Sequence, residues 1–210
     1  MLKKLLKRLS EIARVSGIIW VLPSFPLPDL KSQKKMNLIY ENYITSNRPQ
    51  FIEKVRYISD KLGIDPNWIM YVMFFESGLN HRAQNTKTNA TGLIQFMPST
   101  AAYLGTTTAE LLQMSNVEQL DFVYAYLKPY RGDMESLVDV YLAVFFPVAI
   151  GQRAEYIFQT SKLSASKIAE QNNIFDLNHD GILTKGEVEA KILTGVPSEY
   201  TDIMKKKSRL

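Results

Sequence analysis

The stretch IDPNWIMYVMFFESGLN, residues 64–80, decides the fold and carries the first chemistry that can be argued. Asp65 and Pro66 predict a helix start, because aspartate caps free backbone N–H groups and proline at the first helical position gives up no hydrogen bond. A strongly apolar run follows as far as Phe75, and Gly78 can end the helix in a left-handed conformation. We therefore predict an apolar helix that begins at Pro66 and ends just before Gly78.

Glu76 is the carboxylate at the end of this apolar run. It lies at the negative end of the helix dipole and among aromatic side chains, and both surroundings disfavour its ionised form and raise its pKa. A general acid that works at neutral pH needs a carboxyl group with a raised pKa. From this stretch alone, an exposed glutamate at a helix end is an equally good interpretation.

The composition, with 46% hydrophobic and 22% charged residues among 210, predicts a soluble globular chain with one substantial core and room for a small appended module. The absence of cysteine excludes disulfides and thiolate metal sites and leaves the redox compartment open. The basic residues that set the net charge of +4 are concentrated at the two ends of the chain. This distribution argues against a nucleic-acid-binding core.

The N-terminal residues 1–22 have leucines at three- and four-residue spacing with lysine and arginine between them. This pattern is typical of a basic amphipathic helix that binds a membrane surface or an assembly partner. The apolar run 15–22 is too short to span a bilayer, and the proline-rich segment 23–30 lacks the small-residue cleavage site of a secretory signal. We therefore expect residues 1–35 to be an uncleaved arm and linker, with a signal peptide as the less favoured alternative.

From residue 36 onward the apolar residues follow helical spacing, and no strand-like alternation extends beyond a few residues. Thr108, Ser115 and Asp133 are the predicted N-caps of three helices, the last of which should run to Phe146 before Pro147. The predicted fold class is all-α, with many short helices around one core in residues 36–163.

Residues 176–187, DLNHDGILTKGE, match a calcium loop of the EF-hand type at all twelve positions. Gly181 provides the sharp turn at position six, and position seven needs only its backbone carbonyl. The expected ligands are Asp176, Asn178, Asp180, Ile182, Thr184 and Glu187. We predict an EF-hand-like helix-loop-helix in residues 164–195 with a structural Ca²⁺, followed by a basic tail in residues 196–210. A metal-free turn is the alternative, and a single loop favours a structural clip over a calcium sensor.

The segment from Gly92 to Pro98 is a second candidate for chemistry, and it follows a long polar loop of a kind that tends to be functional. Gly92 would let the backbone approach a ligand, and Gln95 can both donate and accept a hydrogen bond. Phe96 and Met97 offer an apolar floor. Alone, the segment could equally be a turn into a core helix.

Three segments taken together resemble the soluble-type lytic transglycosylases: ESGLN (76–80), AQN (83–85) and ATGLIQFMPSTA (90–101). These are lysozyme-fold enzymes, related to goose-type lysozyme, that cleave the glycan strands of peptidoglycan, and some carry an EF-hand-like calcium loop. The resemblance covers roughly residues 50–150. It implies a lysozyme-like catalytic domain, a peptidoglycan substrate, action in the bacterial cell wall or periplasm, and no organic cofactor.

The resemblance implies that Glu76 protonates the glycosidic oxygen between N-acetylmuramic acid and N-acetylglucosamine. Glu76 would then act as a base while the muramoyl 6-hydroxyl attacks the anomeric carbon, which leaves a 1,6-anhydro product. Most glycosidases use two carboxylates, and here the substrate's own groups would replace the second.

The resemblance implies that Ser77 orients Glu76 or binds the sugar, and the other residues expected to bind substrate are Gly92, Gln95, Phe96 and Tyr141. The family's Ala-Tyr-Asn tripeptide has no counterpart in residues 141–147, YLAVFFP. Tyr141 is therefore the residue expected to supply a hydroxyl, with a core aromatic as the alternative. A hydrolytic muramidase, or a non-catalytic glycan-binding protein of a phage virion, remains an alternative function, and virion carriage is a possibility for the enzyme as well.

Overall fold

Eight α-helices form within residues 37–204, the part of the chain that the computed structural model describes. In chain order they are α1 (Arg48–Leu62), α2 (Pro66–Ser77), α3 (Pro98–Tyr103), α4 (Thr108–Gln113), α5 (Asn116–Leu127), α6 (Leu137–Phe145), α7 (Ala165–Gln171) and α8 (Lys185–Thr194). Within this range β-type pairing is limited to three isolated bridges. The predicted all-α fold class is confirmed.

Two predicted segments, the N-terminal arm with its linker and the end of the basic tail, lie outside the described residues. Short 3-10 turns occur at Glu41–Tyr43, Lys128–Tyr130, Pro147–Ala149, Asn173–Phe175 and Ser198–Met204. None of the helices in residues 37–204 has both the length and the apolar character needed to cross a membrane.

Helix α2 is the central helix of the core and has the ends that its sequence predicts. The Asp65 carboxylate accepts a hydrogen bond from the Asn67 backbone N–H at 2.8 Å, and Gly78 ends the helix with φ +63°. Six consecutive residues, from Trp68 to Met73, are buried. A helix that is apolar on all sides must be covered on all sides, and α2 packs against both α1 and α6.

The capping box predicted at Ser115 is confirmed. The Ser115 hydroxyl accepts from the Glu118 backbone N–H, and the Glu118 carboxylate accepts from the Ser115 backbone N–H at 2.7 Å. The cap of α4 is one residue earlier than predicted, because Thr107, and not Thr108, forms the reciprocal pair with Glu110.

The prediction that Asp133 caps a helix is wrong. Helix α6 begins at Leu137, and Ser136 caps it by accepting a hydrogen bond from the Asp139 backbone N–H at 3.2 Å. The Asp139 carboxylate accepts from the Ser136 hydroxyl at 2.7 Å, so the two side chains stabilise this start together. Asp133 has no such partner three residues on, and its backbone N–H closes the preceding turn on Tyr130.

The C-terminal segment forms the predicted helix-loop-helix, with α7 and α8 on either side of residues 176–187. The Tyr71 hydroxyl of α2 donates to the Ile192 carbonyl of α8 at 2.7 Å, and Phe175 is buried against aromatic rings of α2 and α6. The buried apolar cluster runs from Leu38 to Val196. The hydrophobic core therefore continues across the boundary predicted at residue 163.

Candidate active site

Glu76 lies in a cleft of about 400 Å³. We call the lining residues up to Tyr126, which include Glu76, Gln95 and Phe96, the N-terminal wall. The remaining lining residues, Val144, Phe145 and Asn172, come later in the chain, and we call them the C-terminal wall. Among the described residues that line this cleft, Glu76 is the one carboxylate.

The surroundings of Glu76 favour its neutral form. Burial raises the pKa of Glu76 to about 7, in the direction that the sequence predicts. Within residues 37–204, no hydrogen-bond donor contacts its carboxylate to offset this desolvation. Near neutral pH the group is therefore divided between the acid and its conjugate base, as a residue that both donates and accepts a proton requires.

The last turn of α2 is fixed by Ser77 and Gly78. The Ser77 hydroxyl lies 2.9 Å from the carbonyl oxygens of both Met73 and Leu93, which ties the helix end to the next segment of the cleft. Gly78 allows the left-handed turn in which its backbone N–H returns to the Phe74 carbonyl at 2.8 Å. Ser77 does not line the cleft, so of its two expected roles its contacts fit the one that holds the helix end next to Glu76.

Gln95 and Phe96 line the cleft, where the sequence predicts them. The Gln95 side-chain Nε2 donates to the Gly92 carbonyl at 3.1 Å and to the Ala83 carbonyl at 3.3 Å. Its Oε1 accepts no hydrogen bond from any described residue and is available to a ligand donor. Phe96 is 2% exposed, so little of its side chain is open to the cleft.

Gly92 is buried and does not line the cleft, contrary to expectation. Its φ is +82°, and a Cβ built there would lie 2.5 Å from Oε1 of Gln119. The group that approaches its backbone is therefore a side chain of this protein and not a ligand. Glycine is needed here both for the positive φ and for this close approach.

Gln119, which the sequence analysis does not single out, is the residue that holds the cleft segment. It is fully buried on α5. Its Oε1 accepts from the Leu93 backbone N–H at 3.0 Å, and its Nε2 donates to the carbonyls of His81 and Leu111 at 2.7 and 2.8 Å. One side chain thus satisfies three backbone groups of three separate segments, two of them in buried contacts.

The tyrosine in the cleft is Tyr126 and not Tyr141. Tyr141 is 2% exposed and its ring packs against Phe75, Phe145 and Phe175, so it belongs to the core. The Tyr126 hydroxyl donates to the Ala143 carbonyl at 3.1 Å. Burial, with smaller contributions from Tyr130 and Glu76, raises the pKa of Tyr126 to about 12, so the phenol stays neutral beside Glu76.

The predicted calcium loop has the turns that its sequence implies. The Asp176 carboxylate accepts from the backbone N–H groups of Asp180 and Gly181 at 3.2 and 3.0 Å, and Gly181 has φ +77°. Glu187 accepts from the Thr184 backbone N–H at 2.9 Å as part of the cap of α8. Over residues 37–204, no three His, Cys, Asp or Glu side chains converge closely enough to hold a metal ion. Calcium binding therefore stays a prediction.

The predicted calcium loop pairs with residues 156–158, a segment that does not have the sequence of a second calcium loop. Ile157 and Thr184 form an antiparallel bridge, the Phe158 N–H donates to the Leu183 carbonyl at 3.0 Å, and the Lys185 N–H donates to the Tyr156 carbonyl at 2.9 Å. The backbone of loop residues 183–185 is therefore paired with the backbone of residues 156–158.

Comparison with protein families identifies the domain that contains Glu76. Residues 53–129 match the model of the Transglycosylase SLT domain, which covers the chain from within α1 to just past α5. Searches of curated proteins and of solved structures gave no match. The match includes the whole N-terminal wall and excludes the C-terminal wall. Residues 53–129 thus form a transglycosylase SLT domain, the domain of the lytic transglycosylases, which are enzymes that cleave peptidoglycan.

Proposed function

We propose that Glu76 is the single acid/base of this enzyme and that the products carry 1,6-anhydro ends. The observation that supports this most directly is a half-buried carboxyl group with a pKa of about 7 in a cleft whose described lining contains no second carboxylate. A hydrolase of the two-carboxylate type needs a second acid about 5–10 Å away to act as nucleophile or to activate water. With one carboxylate, the muramoyl 6-hydroxyl of the substrate can take the place of the missing group as the nucleophile.

The proposed reaction starts with neutral Glu76. Its proton moves to the glycosidic oxygen as the bond from that oxygen to C1 of N-acetylmuramic acid breaks, which releases the 4-hydroxyl of N-acetylglucosamine. The Glu76 carboxylate then takes the proton of the muramoyl 6-hydroxyl as O6 bonds to C1. The product is the anhydro sugar, and Glu76 ends the cycle protonated.

The other residues of the N-terminal wall would position the sugar. The free Oε1 of Gln95 can accept a hydrogen bond from a sugar hydroxyl, and the small exposed part of Phe96 offers an apolar contact. Tyr126 presents a neutral phenol that is held by the Ala143 carbonyl. We propose no proton transfer for Tyr126, because at a pKa of about 12 it stays protonated throughout.

Digestion of purified sacculi, followed by mass spectrometry of the released muropeptides, tests this proposal. The wild type should release anhydro-muropeptides, Glu76→Gln should release none, and Glu53→Gln, on the exposed face of α1, should match the wild type. Products with reducing ends would indicate a muramidase. Binding to sacculi without release, or release by Glu76→Gln equal to the wild type, would contradict the proposed role of Glu76.

We also propose that residues 176–187 bind one structural Ca²⁺ ion. The support is the spacing of oxygen-bearing residues, the positive φ of Gly181 and the pairing of the loop with residues 156–158 in place of a second calcium loop. Such a clip stabilises the folded chain by mass action, by about 2.7 kcal/mol when free Ca²⁺ is one hundred times its dissociation constant.

Thermal unfolding with Ca²⁺ or with a chelator tests the calcium proposal. Ca²⁺ should raise the Tm of the wild type by several degrees and should leave Asp180→Asn, which loses a ligand charge, with a much smaller rise. Mg²⁺ serves as the control ion, because it prefers a smaller octahedral site. An identical Tm in Ca²⁺ and in chelator would contradict the proposal.

A further inference from the structure

Part of the cleft lies outside the segment that matches the family. Val144, Phe145 and Asn172 line the cleft together with Glu76, whereas the match ends at residue 129. Val144 and Phe145 are half-buried, so each keeps an apolar surface toward solvent, and Asn172 adds one amide. An apolar surface beside a single oriented polar group is typical of a small-molecule subsite.

The amide of Asn172 is oriented by one hydrogen bond. Its Nδ2 donates to the Ile168 carbonyl at 2.9 Å. Because that partner can only accept, the NH₂ group must face Ile168 and the Oδ1 atom must face away from it. Within residues 37–204, no donor contacts this Oδ1, so an acceptor is left free on a half-buried side chain in the cleft.

The backbone around Asn172 is held firmly. Its N–H donates to the carbonyls of Ile168 and Ala169 at 3.1 Å, and its carbonyl accepts from the Phe175 N–H at 3.0 Å. Phe175 is 2% exposed, and its ring centre lies 5.2 Å from that of Phe145. Phe175 therefore links the two parts of this wall, since its backbone N–H binds Asn172 and its ring packs against Phe145. A polar group held in this way can select the orientation of a ligand.

We propose that Asn172 and Phe145 form an N-acetylhexosamine subsite, in which Oδ1 of Asn172 accepts a hydrogen bond from the acetamido N–H or a hydroxyl of a sugar. The proposal rests on the proposed function, because the sugar is part of the glycan strand that Glu76 cleaves. N-acetylhexosamines suit this wall, since each has an apolar ring face and several N–H or O–H donors. Asn172 is here a substrate-binding residue and takes no part in proton transfer.

Calorimetric titration with a peptide-free tetrasaccharide of N-acetylglucosamine and N-acetylmuramic acid tests the subsite. All variants carry Glu76→Gln, so that the ligand is not consumed. Asn172→Leu keeps the volume of the side chain and removes the acceptor, and we expect the dissociation constant to rise roughly 2- to 12-fold, as loss of one hydrogen bond predicts. Asn172→Asp restores an acceptor and should recover part of the affinity.

The control is Asn173→Leu, an exposed neighbour that does not line the cleft. Its dissociation constant should stay within about twofold of the parent's, since surface changes of this kind have small effects. In the background with Glu76 intact, Asn172→Leu should raise KM with kcat and its pH dependence little changed, which a general loss of structure would not produce.

Equal dissociation constants for the parent, Asn172→Leu and Asn173→Leu would overturn the subsite. If the wild type still released anhydro products, the role of Glu76 would stand. If the parent failed to bind the tetrasaccharide and the wild type released nothing from sacculi, both proposals would fall together.

Discussion

The N-terminal wall of the cleft is held by hydrogen bonds to buried backbone groups, whereas the C-terminal wall is held by packed aromatic rings. Gln119 and Ser77 both bond to Leu93, and these contacts fix the segment beside Glu76. Phe145 and Asn172 are instead supported by Phe175, through ring packing and one backbone hydrogen bond. Hydrogen bonds are directional and suit the wall that positions an acid, while ring packing depends mainly on buried area.

This difference predicts two kinds of failure. Removal of a polar side chain from behind the N-terminal wall leaves backbone groups unsatisfied, so activity should fall along with stability. Removal of a ring from behind the C-terminal wall leaves a cavity, so stability should fall most and sugar binding should weaken. The predictions below follow this contrast from the largest expected change in unfolding free energy to the smallest.

Phe175→Ala should have the largest effect on stability. Truncation of a buried phenylalanine typically costs about 3–5 kcal/mol, and here the cavity opens between Phe75, Tyr141 and Phe145. Urea denaturation measures the loss. The neighbouring Ile174→Ala is the control, because Ile174 is 54% exposed and should lose little. Similar losses in the two variants would show that the rings do not support this wall.

Glu76→Gln should remove a pH-dependent loss of unfolding free energy that the wild type shows. Because the pKa of Glu76 rises from 4.5 in a model compound to about 7 in the folded chain, ionisation costs the folded state roughly 3 kcal/mol. Wild-type stability should fall as the pH rises from about 4.5 to 7 and then level off, since the unfolded chain ionises first. The variant should lack this fall. Denaturation at pH 4.5 and pH 8 measures it, and equal differences between the two proteins at both pH values would contradict a buried Glu76.

Gln119→Leu should destabilise the chain by about 2 kcal/mol and also lower kcat. Leucine fills much of the space but leaves the Leu93 N–H and two carbonyls without their partner. Gln113→Leu, on an exposed site at the end of α4, is the matched control. If Gln119→Leu lost stability but kept full kcat, Gln119 would support the fold without positioning the cleft.

Tyr126→Phe should have the smallest effect, about 0.5–1.5 kcal/mol of stability. It removes the hydrogen bond to the Ala143 carbonyl and leaves the ring against Phe96. Anhydro products should still form, because we assign Tyr126 no proton transfer. Muropeptide analysis beside Tyr124→Phe measures this, and complete loss of product in Tyr126→Phe alone would make the phenol part of the reaction.

The sequence predicts well those features that adjacent residues determine. Helix α2 and its two ends follow from Asp65, Pro66 and Gly78, each of which acts on its own neighbours. The capping box at Ser115 is equally local. The prediction of Asp133 as a cap was wrong because Asp133 and Ser136 are both acceptable cap residues. Only Ser136 is followed by a carboxylate, that of Asp139, at the third helical position.

Placement between distant segments is much harder to predict. Tyr126 and Asn172 reach the cleft from α5 and from the turn after α7, and no spacing in the sequence relates either to Glu76. Gln119 could have been recognised from the sequence, because it falls on the same helical face as Val123, and that face is buried. A polar residue on a buried face usually satisfies buried backbone groups, and this rule could have identified it.

The most direct test of the central claim, that a lone, half-buried Glu76 is the acid, is the pH dependence of kcat/KM on soluble glycan strands. The free enzyme needs the neutral form of Glu76, so kcat/KM should fall above a pKa of about 7 with a single proton lost. A profile that is flat from pH 5 to pH 9 on the wild type, or one that already falls near the ordinary glutamate pKa of about 4.3, would contradict the account.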